Sequence, residues 1–324
     1  MIGYERRLFR SALVWTMLLG CGSGPTPSGA APVPLASPKS EPAASPTRPE
    51  LAPVGSSPAP RGPAASSETC GELDCRLFDS PEAAFMAVLE EGPLVLAVGE
   101  AHAQKGSEAI ESSTRRFTER LLPKLEGSSS DLIVELWAPD PKCLKKARRV
   151  AEKQKPVTAA QAESNQNEYV TLGVRARELA IVPHLLRPSC SEYDEIMRAG
   201  ENDVSVMLSM IARLTSNMVK ALLQRNARAG HEKMIIAYGG ALHNDLLPRE
   251  GREGFSFGPD LDGFTKHRYV ELDLIVPEFI KDTESWRALA WYPHFDPRKH
   301  PKRTTLYKPS PRSYALIFPR SEPS

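Results

Sequence analysis

Two apolar runs, each ending in Gly and followed three residues later by His, constrain this chain more than any other feature. Leu94–Val98 runs into Gly99-Glu100-Ala101-His102, and Met234–Tyr238 runs into Gly239-Gly240-Ala241-Leu242-His243. A short apolar run bounded by Gly reads as a buried strand. A buried strand that stops at Gly and then offers Glu and His presents reactive groups at a sheet edge, where open α/β folds bind ligands. Glycine suits both positions because the backbone there must turn or approach another group closely. The expectation is one site assembled from two distant segments.

The segments between support this. Ser80-Pro81-Glu82 is a helix start, with a cap residue, Pro at the first helical position and an acid in the first turn. After the first strand, residues 106–122 are expected to be helical, and Gly127–Ser130 break that helix. Asp131–Trp137 reads as a second strand, residues 143–154 as a basic helix, 155–165 as a polar connection and 166–180 as another helix. Ala180–Leu186 is a third strand, with Pro183 limiting its pairing. A long helix from Asn202 or Asp203 to about Ala229 carries Met207, Ile211, Leu214, Met218 and Leu222 at helical spacing, a core stripe. Residues 249–266 read as a Gly-rich loop, Arg268–Val276 as a strand and Ser313–Phe318 as a last short strand. This βαβ rhythm implies α/β: a single domain with a largely parallel central sheet flanked by helices, its site at the C-terminal edge of the strands.

That edge gathers Glu100, His102, Glu135, His184, Arg187 and His243, with Gly99, Gly239 and Gly240 letting a ligand approach. Glu135 lies in an otherwise apolar strand, where a carboxylate is costly unless paired or metal-bound. Arg187 suits pairing with Glu135 or binding an anion. His184 reads as a satisfied edge histidine, and His231, His267, His294 and His300 as surface residues. His102 and His243 with Glu100 suit a divalent metal that keeps a position open for water. The same groups work without metal: a His held by a carboxylate takes a proton from water, and a second His protonates the leaving group. A third use is ligation of haem iron by His. The residue types leave these three open.

The ends of the chain place the domain. Arg6, Arg7 and Arg10 precede a short apolar stretch, Ser11–Leu19, that ends in Leu18-Leu19-Gly20-Cys21. Charge, apolar run and Cys stand in the order of a bacterial lipoprotein signal over residues 1–20, with Cys21 as the acylated first mature residue that anchors the chain to a bilayer. No Asp follows Cys21, so an outer membrane, where the cell has one, or otherwise the cell envelope is the expected destination. Residues 21–69 are a lipid-anchored tether rich in Pro, Ala and Ser, too poor in large apolar residues to fold. Residues 70–324 are long enough for one domain with a sizeable core. A formal net charge of +1 and no basic block give no case for nucleic acid. Export favours disulfides, so Cys70 with Cys75, and Cys143 with Cys190, are expected to pair.

A strand followed by Gly99-Glu100-Ala101-His102, a strand carrying Glu135, and a late strand followed by Gly240-Ala241-Leu242-His243 resemble the superfamily of Tiki/TraB proteins, ChaN-type haem-binding lipoproteins and erythromycin-esterase-like enzymes. The resemblance covers about residues 90–250. It implies a mixed α/β core with these groups clustered, and a peptidase, a haem binder or a lactone esterase according to branch. TraB-like members carry Asp-Arg after the third strand; here Leu186-Arg187 stands there, and only the Arg carries over. The expected function is an exported lipoprotein with a hydrolase site, metal-assisted or acid–base, for a small-molecule or peptide ligand. The alternatives are a haem-binding lipoprotein without turnover and a surface interaction module with a vestigial site.

Overall fold

The computed structural model describes residues 67–321, so the signal segment, Cys21 and the tether up to residue 66 lie outside the described residues. Glu68–Thr69 (β1), assigned from sequence to the tether, instead pairs with Arg76–Phe78 (β2), and the Cys70–Cys75 disulfide closes the turn between them. Helix α1 (Pro81–Leu89) starts as its sequence dictates, with Ser80 accepting from the Ala83 N–H. The apolar run that follows is β3 (Val95–Glu100), buried at every residue.

The helix expected from residue 106 begins only at Ser113 (α2, Ser113–Arg116) and continues through a π turn at Phe117–Leu121. Local hydrogen bonds explain the delay. Ser107 bonds the backbone of Gln104 in both directions, the Gly106 N–H donates to Glu108, and Gly106 sits at φ 87°. Such side-chain bonds compete with helix until Ser112 supplies a cap by accepting from the Arg115 N–H. His102 therefore rides on a structured loop rather than next to a helix start.

Strand β4 (Ser129–Trp137) leads to α3 (Leu144–Thr158), which takes in part of the expected polar connection, and to α4 (Ser164–Glu178). Then come β5 (Val182–Leu186), α5 (Cys190–Arg198), α6 (Asp203–Arg228) and β6 (Met234–Gly240). The Cys143–Cys190 disulfide joins the starts of α3 and α5. By length and composition the stretch Gly200–Arg228 passes for a bilayer span, but 56% of its apolar window is buried, as befits the core helix its stripe describes. The expected loop at 249–266 contains α7 (Gly258–Phe264), which buries Leu261. After β7 (Tyr269–Ile275) and α8 (Glu284–Arg287), the basic, Pro-rich segment yields β8 (Thr304–Ser310) before β9 (Ser313–Ile317). Thr304-Thr305-Leu306-Tyr307 has β-branched and aromatic character that the neighbouring charges obscure.

The nine strands form one mostly parallel sheet in the order β1-β2-β8-β9-β7-β3-β6-β4-β5. From β9 to β5 neighbours run parallel, and β1, β2 and β8 extend the β9 edge antiparallel. On one face Leu96, Val98, Ile236 and Leu272 pack with Phe85, Phe117 and Leu172 from α1, the π turn and α4. On the other, Val95, Ala97 and Ile235 pack with Ile196, Ile211 and Leu261 from α5, α6 and α7. The α/β class and parallel sheet expected from the βαβ rhythm are those of the structure, and β3, β6 and β4 lie side by side with their C-terminal ends at one edge.

Candidate functional site

Glycines make room at that edge. Gly99 on β3 is in register with Gly239 on β6 and with Asp273 on β7. Strand β4 loses its even register after Val134, as at a bulge, so Glu135 swings across the end of β6. A Cβ on Gly239 would overlap Glu135 Oε2 and come 2.9 Å from Glu135 Cβ. A Cβ on Gly99 would come 2.6 Å from Asp273 Oδ1 and 2.7 Å from the Ala241 backbone. Glycine is thus required at Gly99 and at Gly239, the residue before the second motif, by groups crossing the strand ends. We expect Gly239→Ala to displace Glu135 and to lower stability by about 1–3 kcal/mol, the usual cost of overpacking, measured by denaturant unfolding.

Glu100 and His102 form the first half of the site. Glu100 is 4% exposed and His102 5%. Glu100 Oε1 lies 2.6 Å from His102 Nδ1 and accepts from the Tyr169 hydroxyl at 3.0 Å. Its Oε2 accepts from Thr114 at 2.7 Å and from Tyr238 at 3.0 Å. Burial works against the Glu100 charge, yet His102 and these hydroxyls outweigh it and hold the carboxyl below its ordinary range. An ionised carboxylate only accepts, so His102 Nδ1 carries a proton. His102 Nε2 is buried and has no hydrogen-bond partner among the described residues.

Glu135 and His243 form the second half. They are 7% and 3% exposed. Glu135 Oε2 accepts from the Gly240 N–H at 2.8 Å, and Oε1 lies 3.7 Å from His243 Nε2. His243 Nδ1 lies 2.7 Å from the Phe255 carbonyl, which can only accept, so that nitrogen carries the proton. Burial pushes Glu135 up to about 8; the Gly240 N–H opposes this and the Glu100 charge adds to it. Burial also drives His243 down to about 4, against the Phe255 bond and with help from His102. At neutral pH both are uncharged: a carboxylic acid facing a neutral imidazole. A Cβ on Gly240 would lie 3.6 Å from His102 Nε2 and 3.8 Å from Glu135 Oε2, so the two halves meet over this glycine.

The expected metal set does not assemble. Among the described residues no three His, Cys, Asp or Glu side chains are grouped to hold a metal ion. Both Glu100 oxygens are already engaged by four donors among the described residues. Arg187 is exposed beyond β5 and forms no ion pair with Glu135 among the described residues, because Glu135 turns the other way, over β6. His184 bonds Asp131 at 2.7 Å, and Arg225 pairs with the same carboxylate, so this group ties sheet to helix. His231, His267, His294 and His300 are exposed, as read from sequence.

Sequence reasoning missed Thr114 and Tyr169, which lie in helices with no local sign of their role. It also missed a second buried acidic group. The alternation of Glu271 and Asp273 marked β7 as a strand, but α6 and α7 cover that face and bury both carboxylates. Asn244 donates to Asp273 at 3.0 Å, and the Leu246 N–H donates to Glu271 at 2.6 Å. Burial pushes Asp273 up to about 6 and, with Asp273 beside it, Asp245 up to about 7; Glu271 rises well above its ordinary range.

A cavity of about 540 Å³ lies elsewhere, beside the Cys70–Cys75 disulfide at the antiparallel edge. On its wall Glu91 pairs with Lys308 and accepts from the Tyr314 hydroxyl, beside Asp74, Arg76 and Glu90. Glu100, His102, Glu135 and His243 at the strand ends are by contrast all buried. No family model, curated protein or solved structure matches the chain.

Proposed function

We propose that the domain is an acid–base hydrolase acting on an ester, lactone or amide carbonyl of a small-molecule or peptide substrate. The observation that carries this reading is the pairing of an oriented imidazole, with an unpartnered Nε2, and a carboxylic acid kept neutral at pH 7, across one glycine. The two strand-end glutamates are pushed apart, Glu100 down and Glu135 up, which makes Glu135 the proton donor and leaves Glu100 to hold the imidazole.

His102 Nε2 takes a proton from water as the water oxygen bonds to the substrate carbonyl carbon. The resulting imidazolium is stabilised by Glu100. Glu135 gives its proton to the departing oxygen or nitrogen as the carbon–heteroatom bond breaks. The products are an acid and an alcohol or amine, and the proton on His102 returns to Glu135 through solvent. His243, neutral and fixed by Phe255, faces Glu135 and keeps its acidic oxygen from being solvated. No step is assigned to a metal.

Supporting this reading is the resemblance of the two Gly-x-x-His motifs and Glu135 to the Tiki/TraB, ChaN and erythromycin-esterase-like superfamily. The signal-like segment ending at Cys21 supports an exported protein anchored by an acylated cysteine to the outer membrane or cell envelope, with residues 22–66 as spacer. The test is turnover of an ester, lactone and peptide panel by the purified domain and by Glu135→Gln. The amide preserves shape and the Gly240 contact but cannot donate an acidic proton. We expect kcat to fall about a hundredfold. Turnover unchanged in the variant removes Glu135 as the acid. A Soret band on adding hemin, lost in His102→Ala, with no turnover by the wild type, favours the haem-binding alternative.

A further inference from the structure

Glu100 is the most heavily bonded carboxylate of the site, and the groups around it go beyond what orienting a histidine requires. Four donors converge on it from four segments: His102 from the loop after β3, Thr114 from α2, Tyr169 from α4 and Tyr238 from β6. A carboxylate offers about four lone-pair sites, so this one is saturated. Both tyrosine rings sit in the apolar core, 5.8 Å apart between centroids and at 87° to each other, with Phe117 packed 4.9 Å from the Tyr238 ring. Phenylalanine would fill either place without burying a polar atom. The hydroxyls have a use only because Glu100 is there, and a buried hydroxyl without a partner is costly. Tyr169 touches both members of the pair. Its hydroxyl is 3.0 Å from Glu100 Oε1 and 3.5 Å from His102 Nδ1, and its ring is 5.8 Å from the imidazole centroid.

We propose that Tyr169 and Tyr238, with Thr114, form a hydroxyl clamp that restricts Glu100 to accepting hydrogen bonds and so fixes the His102 proton on Nδ1. The tyrosines are positioning residues: Tyr238 acts on His102 only through Glu100, and Tyr169 acts through Glu100 while its hydroxyl and ring also border the imidazole. A carboxyl released from the clamp in this apolar setting gains a proton and donates it to His102 Nδ1. The imidazole proton then moves to Nε2, and the lone pair that faces the site is lost. The inference deepens the hydrolase reading, which supplies the use for that lone pair, but the tautomer is observable without turnover.

The experiment is ¹⁵N NMR of histidine-labelled domain at pH 8, for wild type, Tyr169→Phe, Tyr238→Phe and the double variant. His102 is assigned by its absence in His102→Ala, and amide spectra check that each variant is folded. Wild type is expected to show His102 with a protonated Nδ1 and a bare Nε2. The double variant is expected to exchange these signatures, with each single variant showing a mixture. A folded double variant with the wild-type tautomer overturns the clamp, as does a wild type already protonated on Nε2. If the double variant does not fold, the singles decide: an unshifted tautomer in both overturns the proposal. A clamp confirmed in a domain that hydrolyses nothing leaves the inference standing and removes the hydrolase reading.

Discussion

His102→Ala is expected to lower hydrolysis about a thousandfold while the domain stays folded. General-base contributions of about 10²–10⁴ set the scale. The loss falls on kcat, because the imidazole acts on water in the transition state rather than on bound substrate. The His102 ring is buried against Tyr169, so the variant gives up some packing, but the apolar cores on both faces of the sheet keep their residues and the fold is expected to survive. Glu100 keeps three hydroxyl donors in the variant, so no carboxylate is left bare. His243→Ala is a weaker case by the same reasoning, because His243 moves no proton in the proposed cycle. Steady-state kinetics of both variants, with circular dichroism as the folding control, checks the ranking. Equal rates for wild type and His102→Ala would sink the acid–base account.

The domain is also expected to be more stable in mild acid than in mild alkali. Glu135, Asp245 and Asp273 have folded pKa values raised to about 8, about 7 and about 6, and Glu271 moves the same way. An acid whose folded pKa is raised binds more protons in the native than in the unfolded chain. Its stability is whole below the unfolded pKa near 4 and is lost as pH climbs through the folded value. His243 opposes this: lowered to about 4, it costs stability as pH falls below about 6.5. Four raised acids outweigh one lowered histidine between pH 5.5 and 8.5. We expect unfolding free energy to drop by about 4 kcal/mol across that interval and Tm by roughly 10 °C. Thermal denaturation at the two pH values checks it, and a Tm unchanged or higher at pH 8.5 contradicts the buried-acid account.

The parallel core was legible because buried parallel strands read as continuous apolar runs, and Leu94–Val98 and Met234–Tyr238 are such runs. Their Gly-x-x-His endings marked the right edge, and the two halves they deliver meet there. The loop from Ala101 to Ser112 was read as partly helical because side-chain-to-backbone bonds, invisible to periodicity, set where α2 begins. Strand β8 was hidden by the charge and proline around it. At the site, Glu100 and Glu135 looked interchangeable in sequence, both being strand-end glutamates. Their roles diverge because one meets four donors and the other meets one N–H in a dry corner. Tyr169, 69 residues from Glu100 along the chain, could not be tied to it by spacing. Arg187 failed as a partner for Glu135 because the break in register after Val134 sends that side chain toward β6.

The most direct measurement of the central claim is the ionisation of Glu135 itself. Carboxyl ¹³C NMR of glutamate-labelled domain, with Glu135→Gln for assignment, follows the group through a pH titration without any substrate. A midpoint near 8 is expected, which keeps a proton ready for the leaving group at neutral pH. A Glu135 carboxyl already ionised at pH 6 would contradict the account.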